Sequence, residues 1–118
     1  MDLLNKDAIL KGRTFRSAYV KAFGGSIKIQ ELSGPQRDEM DIFVAKFNKA
    51  HGEEECNRHY TTFWILFSVV DEDGKRVFAD SDFDAVAALP GSDCRRVWRH
   101  IAKINDISED DEDDEGNP

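Results

Sequence analysis

The feature that most constrains the fold is residues 23–38, which predict a turn, a strand and the start of a helix in succession. The preceding residues, 14–20, are rich in aromatic and β-branched side chains, as in a strand. Gly24 and Gly25 supply the positive φ angles that a tight reversal needs. Residues 26–30 then alternate polar and apolar side chains, as in a strand with one buried face. The sequence therefore predicts an antiparallel β-hairpin near the N-terminus.

Two further patterns predict helices. Ser33 and Gln36 have the spacing of a capping box, with Pro35 in the first turn, and apolar residues then recur at helical spacing to about residue 50. Three glutamates before Cys56 begin a second helix of roughly 17 residues, which continues to Val70. That helix is apolar nearly all round at its C-terminal end, so it is either the centre of the core or partly an interface.

The remaining elements are short until the last helix. Residues 71–74, Asp-Glu-Asp-Gly, predict a turn, and residues 75–79 a short extended piece. A cap at residues 80–81 begins a brief helix that Pro90 ends, and a cap at residues 92–93 begins the last helix. Together these patterns predict an α+β domain, in which an N-terminal β-hairpin packs on a small bundle of three to four helices.

The net charge of −8 is concentrated at one end of the chain. Seven acids occupy positions 109–115, so residues 1–108 carry a net charge of only −1. The chain therefore divides into a domain, residues 1–108, and an acidic tail, residues 109–118, which self-repulsion predicts to be disordered. A nearly neutral domain with an acidic tail is a poor match for phosphate backbones, so no nucleic-acid binding is expected. No apolar run is long enough to predict a membrane span.

The residues that could carry chemistry are few and scattered. Cys56, His59, Cys94 and His100 have the ligand types of a structural zinc site, but they are predicted within helices, where a core Cys and a surface His are commoner. The acids of residues 71–84 lack the Gly and Glu positions of a calcium loop. His51, His59 and His100 lie on predicted helices or at their ends, and no strained turn presents a nucleophile. There is also no Gly-rich phosphate loop. We therefore expect no metal, no cofactor and no catalytic activity.

Six aromatic side chains on the predicted helices are the candidate partner-binding residues, although a core position is the commoner role for each of them. Because residues 62–70 show no polar face, one apolar side of the central helix would be left for a partner helix. The six candidates are Phe43, Phe47, Phe63, Trp64, Phe67 and Trp98.

The order of these motifs resembles that of the tail assembly chaperones of siphophages, the phages with long, non-contractile tails. The similar segments are an aromatic-Gly-Gly turn at 23–25, a Leu-Ser-Gly cap at 32–34, an Arg-Asp pair at 37–38, an Asp-Glu-Asp-Gly turn and short strand at 71–78, and an Ile-Asn-Asp-Ile-Ser ending at 104–108. Order and distances are kept over residues 8–108. The chain departs from the family in Lys-Ala-Phe where many members have Pro-Glu-Trp, and in its acidic tail.

The resemblance implies a non-catalytic late protein of tail morphogenesis. Such a chaperone binds and solubilises the tape-measure protein in the host cytoplasm, helps to recruit tail-tube subunits, and is not in the mature virion. In many members a programmed ribosomal frameshift also produces a longer form, which would be a further partner of this chain. The alternative from another class is an acidic inhibitor or nucleic-acid mimic that acts on a host factor, but a body with a net charge near −1 lacks the excess of acids that mimicry needs.

Overall fold

The computed structural model describes residues 2–107 as a three-stranded antiparallel sheet, in the order β1-β2-β3, packed against helices. The predicted α+β class is confirmed, with three longer helices and three shorter ones in this part of the chain. The predicted acidic tail, residues 109–118, lies outside the described residues. The elements are α1 (Lys6–Lys11), β1 (Ser17–Ala22), β2 (Gly25–Gln30), α2 (Gly34–His51), α3 (Glu53–Arg58), α4 (Tyr60–Ser68), β3 (Val69–Val70), α5 (Phe83–Ala87) and α6 (Gly91–Ile104), with a 3-10 turn at Asp80–Asp82.

The hairpin is confirmed, but its turn lies one residue before the predicted position. Ala22 pairs with Gly25, so the two turn residues are Phe23 and Gly24, with φ angles of 58° and 83°. Two positive φ angles in a two-residue connection suit the twist of the flanking strands. A non-glycine residue in this conformation costs about 1 kcal/mol. Phe23 packs its half-buried ring against the core, and this contact offsets the cost.

The capping box at the start of α2 is confirmed. The Ser33 hydroxyl accepts a hydrogen bond from the Gln36 N–H at 3.3 Å, and the Ser33 N–H donates to the Gln36 amide oxygen at 2.8 Å. These bonds satisfy backbone groups that the helix itself leaves unpaired. The predicted apolar face of α2 points at the core, with Met40 buried and Phe43, Val44 and Phe47 packed against the core.

The predicted central helix is wrong in length. It breaks at His59 into α3 and α4, and the chain leaves the helix after Ser68 to form β3. β3 pairs with Lys28 and Ile29, the open edge of β2, because two β-branched valines fit a pleated edge better than a helix end. Residues 63–70 are all buried, so this segment is the centre of the core.

The last helix is confirmed, but its predicted cap is wrong. Pro90 occupies the position before the helix and makes no side-chain cap, while Ser92 and Asp93 lie within the first turn. The cap predicted at residues 80–81 for the brief helix is also wrong, because both residues lie within the 3-10 turn that precedes α5. At the start of that turn, the Asp82 carboxylate accepts a 2.7 Å hydrogen bond from the Ala79 N–H. α6 packs on α4 and β1 with its apolar face buried, and that face comprises Val97, Trp98, Ile101, Ala102 and Ile104.

Candidate interaction surface

The structure places most of the predicted partner-binding aromatics in the core. Phe63, Trp64, Phe67 and Trp98 are at most 3% exposed, and Phe43 and Phe47 are partly buried. A partner-binding role for these six residues stays a prediction. A partner would reach the four buried side chains only if the core opened. Their visible role is packing.

A ring cluster links α2 to α4 and α5. Phe43, Phe47, Phe63 and Phe83 have centroid separations between 5.0 and 5.9 Å. Pairs of aromatic rings in edge-on or tilted contact each contribute about 0.5–1.5 kcal/mol beyond their buried area. This cluster accounts for the helical spacing that marked Phe43 and Phe47 in the sequence.

Two of the candidates also line a cleft where α2 meets α3 and α4. The cleft has a volume of about 150 Å³, and Phe63 and Trp64 lie in its wall. Arg37 covers it, with the guanidinium carbon 4.8 Å from the Trp64 ring centre. Ligand pockets usually exceed about 300 Å³. This cleft therefore has room for little more than one side chain.

The cysteine and histidine residues do not assemble into a metal-binding group within residues 2–107. No group of three or more potential ligands comes together in that part of the chain. Burial raises the pKa of the Cys56 thiol, and to a lesser extent the nearby Glu53 carboxylate raises it too. Burial likewise raises the pKa of Cys94. Both side chains are thus held as thiols, which are poor nucleophiles and poor ligands.

An exposed apolar segment at the N-terminus is the feature that the sequence patterns missed. No residue of α1 is buried, and the apolar side chains on and beside it are between 51% and 86% exposed. Paired apolar residues on either side of Asn5 were the available signal. We call these side chains the apolar arm: Leu3, Leu4, Ile9, Leu10 and Phe15.

α1 is a defined helix although none of its residues is buried in the described part of the chain. The Asn5 side chain accepts a 2.9 Å hydrogen bond from the Ala8 N–H, which caps the first turn. Gly12, with a φ of 64°, ends the helix and donates its N–H to the Ala8 carbonyl at 3.1 Å. Such positive φ angles favour glycine. Both ends are therefore set by local sequence.

An ion pair between Arg13 and Glu31, the residue after β2, lies at the base of the arm. Arg13 donates two hydrogen bonds to the Glu31 carboxylate, at 2.7 and 2.6 Å, and the Arg16 N–H donates a third at 3.1 Å. These bonds, chiefly those from Arg13, lower the pKa of Glu31 to about 2 against the opposing effect of burial. The chain is thus held at Arg13, and α1 precedes this point with none of its residues buried in the described part of the chain.

Comparison of the chain with models of protein families, with curated proteins and with solved structures finds no match. Within residues 2–107, every helix is too short or too polar to cross a membrane.

Proposed function

We propose that this protein is a non-catalytic tail assembly chaperone of a siphophage, which binds and solubilises the tape-measure protein and helps to recruit tail-tube subunits in the host cytoplasm. The identity of the partner depends on the motif series described above. The similar segments fall on distinct elements of the fold. Residues 23–25 span the hairpin turn, residues 32–34 lie at the start of α2, and residues 71–74 form the turn after β3.

The observation that carries the binding role is the apolar arm. Within residues 2–107 no residue of α1 is buried, so its leucine and its isoleucine add nothing to the core. Full burial of one such side chain on a partner is worth about 1.5–3 kcal/mol. The exposed apolar side chains of the arm suit an amphipathic partner helix, and weak contacts repeated along a long helical protein add up through multivalency.

The test is affinity capture from cells that express the tail gene cluster, read by mass spectrometry. We expect the tape-measure protein among the captured proteins, and at least tenfold less of it with the double variant Leu4→Ser, Leu10→Ser. The matched control is Ile42→Ser, Val77→Ser, because those side chains are 56% and 53% exposed but lie outside the arm. All four substitutions are at exposed sites, so both variants should keep the wild-type circular dichroism spectrum.

Two results would contradict the proposal. Equal capture of the tape-measure protein by the arm variant and by the control would remove the arm from the binding surface. Capture of a host nuclease or polymerase without any tail protein would favour the acidic inhibitor instead.

A further inference from the structure

One edge of the sheet has no strand beside it within residues 2–107. β1 pairs with β2 on one side, and no described strand lies on its other side. Ala22 and Gly25 close the two-residue turn as a hydrogen-bonded pair, and the Glu31 N–H continues the alternation by donating to the Arg16 carbonyl at 2.9 Å. The even-numbered residues of β1 therefore bond to β2, and the odd-numbered ones direct their N–H and C=O groups outward. We call the backbone of these odd-numbered residues the β1 edge: Ser17, Tyr19 and Lys21.

The β1 edge is open to solvent along its length. All three of its residues are exposed, Tyr19 to 63%. Their N–H groups donate no hydrogen bond to a described residue, and among their carbonyls only that of Lys21 accepts one, from the Arg96 guanidinium at 3.0 Å. Tyr19 is nevertheless held in place, because its hydroxyl donates to the Glu72 carboxylate at 3.1 Å. Open strand edges pair readily with a further strand, so the β1 edge offers ordered backbone groups to an incoming segment.

α6 runs beside this edge from one end to the other. Arg96, in the first half of α6, reaches the carbonyl of Lys21, the last residue but one of β1. Asp106, which closely follows α6, pairs with Arg16 at 2.7 Å, and Arg16 directly precedes β1. The helix is therefore antiparallel to β1, and one of its faces forms a wall beside the open edge.

The wall that α6 adds is positively charged. α6 contains four cations and a single acid, Asp93. His100 and Lys103 follow Arg96 by four and seven residues, so they share the helix face that reaches β1, and Arg99 borders it. Arg99 and Lys103 are exposed, and neither forms an ion pair with a described residue. We call these side chains the basic face of α6: Arg96, Arg99, His100 and Lys103.

We propose that the β1 edge and the basic face of α6 together bind an extended acidic segment of another protein. The segment adds a strand beside β1, and its backbone bonds to the outward groups of Ser17, Tyr19 and Lys21. Alternate side chains of a strand are about 6.6 Å apart, and helix residues four positions apart are about 6 Å apart. Acidic side chains at every second position of the segment therefore stay in step with cations one turn apart on α6.

A second copy of this chain fits the edge less well than an acidic segment. Antiparallel pairing of two β1 strands is isologous, so it places both α6 helices on the same face of the joined sheet. The two basic faces then lie side by side, and like charges repel. Charge thus favours an acidic partner over self-association. The inference concerns β1 and α6, and it is independent of the apolar arm.

The first test measures the affinity of the full-length protein for a fluorescent peptide by anisotropy at physiological ionic strength. The probe is Thr-Glu-Val-Glu-Val-Glu-Thr, which has glutamates at alternate positions. We expect Arg99→Gln with Lys103→Gln to weaken binding about threefold or more, because two ion pairs are lost. The matched control, Lys46→Gln with Lys49→Gln, removes two exposed cations from α2. It should leave the affinity nearly unchanged, since salt screens charges beyond about 8 Å.

Two control peptides separate the effect of charge from that of the backbone. The peptide with Gln in place of each Glu should bind about threefold more weakly or worse, because it keeps only the strand pairing. The peptide N-methylated at every internal residue keeps the charges but has no internal N–H donors on either edge. It should bind about tenfold more weakly or worse, because the hydrogen bonds to β1 are lost.

The second test locates the peptide by amide hydrogen exchange in NMR spectra. On saturation with the Glu peptide, the N–H groups of Ser17, Tyr19 and Lys21 should exchange about tenfold more slowly or less, because the added strand covers them. The N–H groups of Ala18 and Val20 are the control, since they already bond to β2 and should change little.

Four outcomes would overturn the inference. Absence of binding at millimolar peptide would remove the site, and equal affinity for the Glu and Gln peptides would remove the role of the basic face. Binding that leaves exchange at Ser17, Tyr19 and Lys21 unchanged would mean that the peptide touches α6 alone. Protection of these N–H groups without peptide, growing with protein concentration, would assign the edge to a second copy of this chain.

Discussion

Replacement of Glu31 by Gln tests whether the ion pair at the base of the apolar arm stabilises the fold. Its pKa is lowered from an ordinary value of 4.5 to about 2. Each pKa unit is worth about 1.36 kcal/mol, so the lowering sets an upper limit of about 3.4 kcal/mol. Arg13 is 56% exposed, and solvent screening of such a partner reduces the expected contribution to about 1–2 kcal/mol.

The sign of the pH dependence follows from the direction of this shift. Because the folded pKa is the lower one, the stabilisation is complete above pH 4.5 and is lost as the pH falls towards 2. The free energy of unfolding should therefore differ between wild type and Glu31→Gln by about 1–2 kcal/mol at pH 7 and by little at pH 2.

Urea denaturation followed by the fluorescence of the two buried tryptophans would measure this difference at each pH. Glu39→Gln is the control, since Glu39 is exposed on α2 and forms no ion pair within residues 2–107. A difference between wild type and Glu31→Gln that stays the same at pH 2 and pH 7 would refute an electrostatic origin.

Two further substitutions test contacts around the C-terminal end of α4. Arg76 stacks its guanidinium 3.9 Å from the Phe67 ring centre and donates to the Leu66 carbonyl, so Arg76→Ala should cost about 2 kcal/mol in urea denaturation. A cost no larger than that of the exposed neighbour Lys75→Ala would contradict this role. Ser68 is 0% exposed and its hydroxyl has no hydrogen-bond partner among the described residues, so Ser68→Ala should stabilise the fold by about 1 kcal/mol, seen as a higher melting temperature. A lower melting temperature would show that the hydroxyl is bonded.

The parts of the fold that the sequence predicts are those set by neighbouring residues. The capping box of Ser33 and Gln36 depends on a spacing of three, and the apolar face of α6 on helical periodicity. The predicted turn lies one residue too late, because two glycines, Gly24 and Gly25, are locally better suited to positive φ angles than Phe23 and Gly24. The contact of Phe23 with the core favours the observed position of the turn, and that contact cannot be predicted from the neighbouring residues alone.

The sequence could not predict β3, because its partner strand lies far away along the chain. Ile29 pairs with Val69, and a run of apolar residues at 63–70 looks the same whether it ends as helix or strand. For a related reason, the sequence could not distinguish partner-binding aromatic residues from core residues. Periodicity shows which residues share a face, but not whether the chain itself or a partner covers that face.

The arrangement of the sheet also has a consequence for the order of events during synthesis. β1 and β2 meet through a two-residue turn, whereas Ile29 must wait for Val69, 40 residues later in the chain. At about 5–20 residues per second, the ribosome needs about 2–8 s to make that stretch. Throughout this interval one edge of β2 has no strand to pair with, and open edges recruit strands from other chains. A chain halted between these two strands is consequently the form most prone to aggregate, and the two valines of β3 end that exposure.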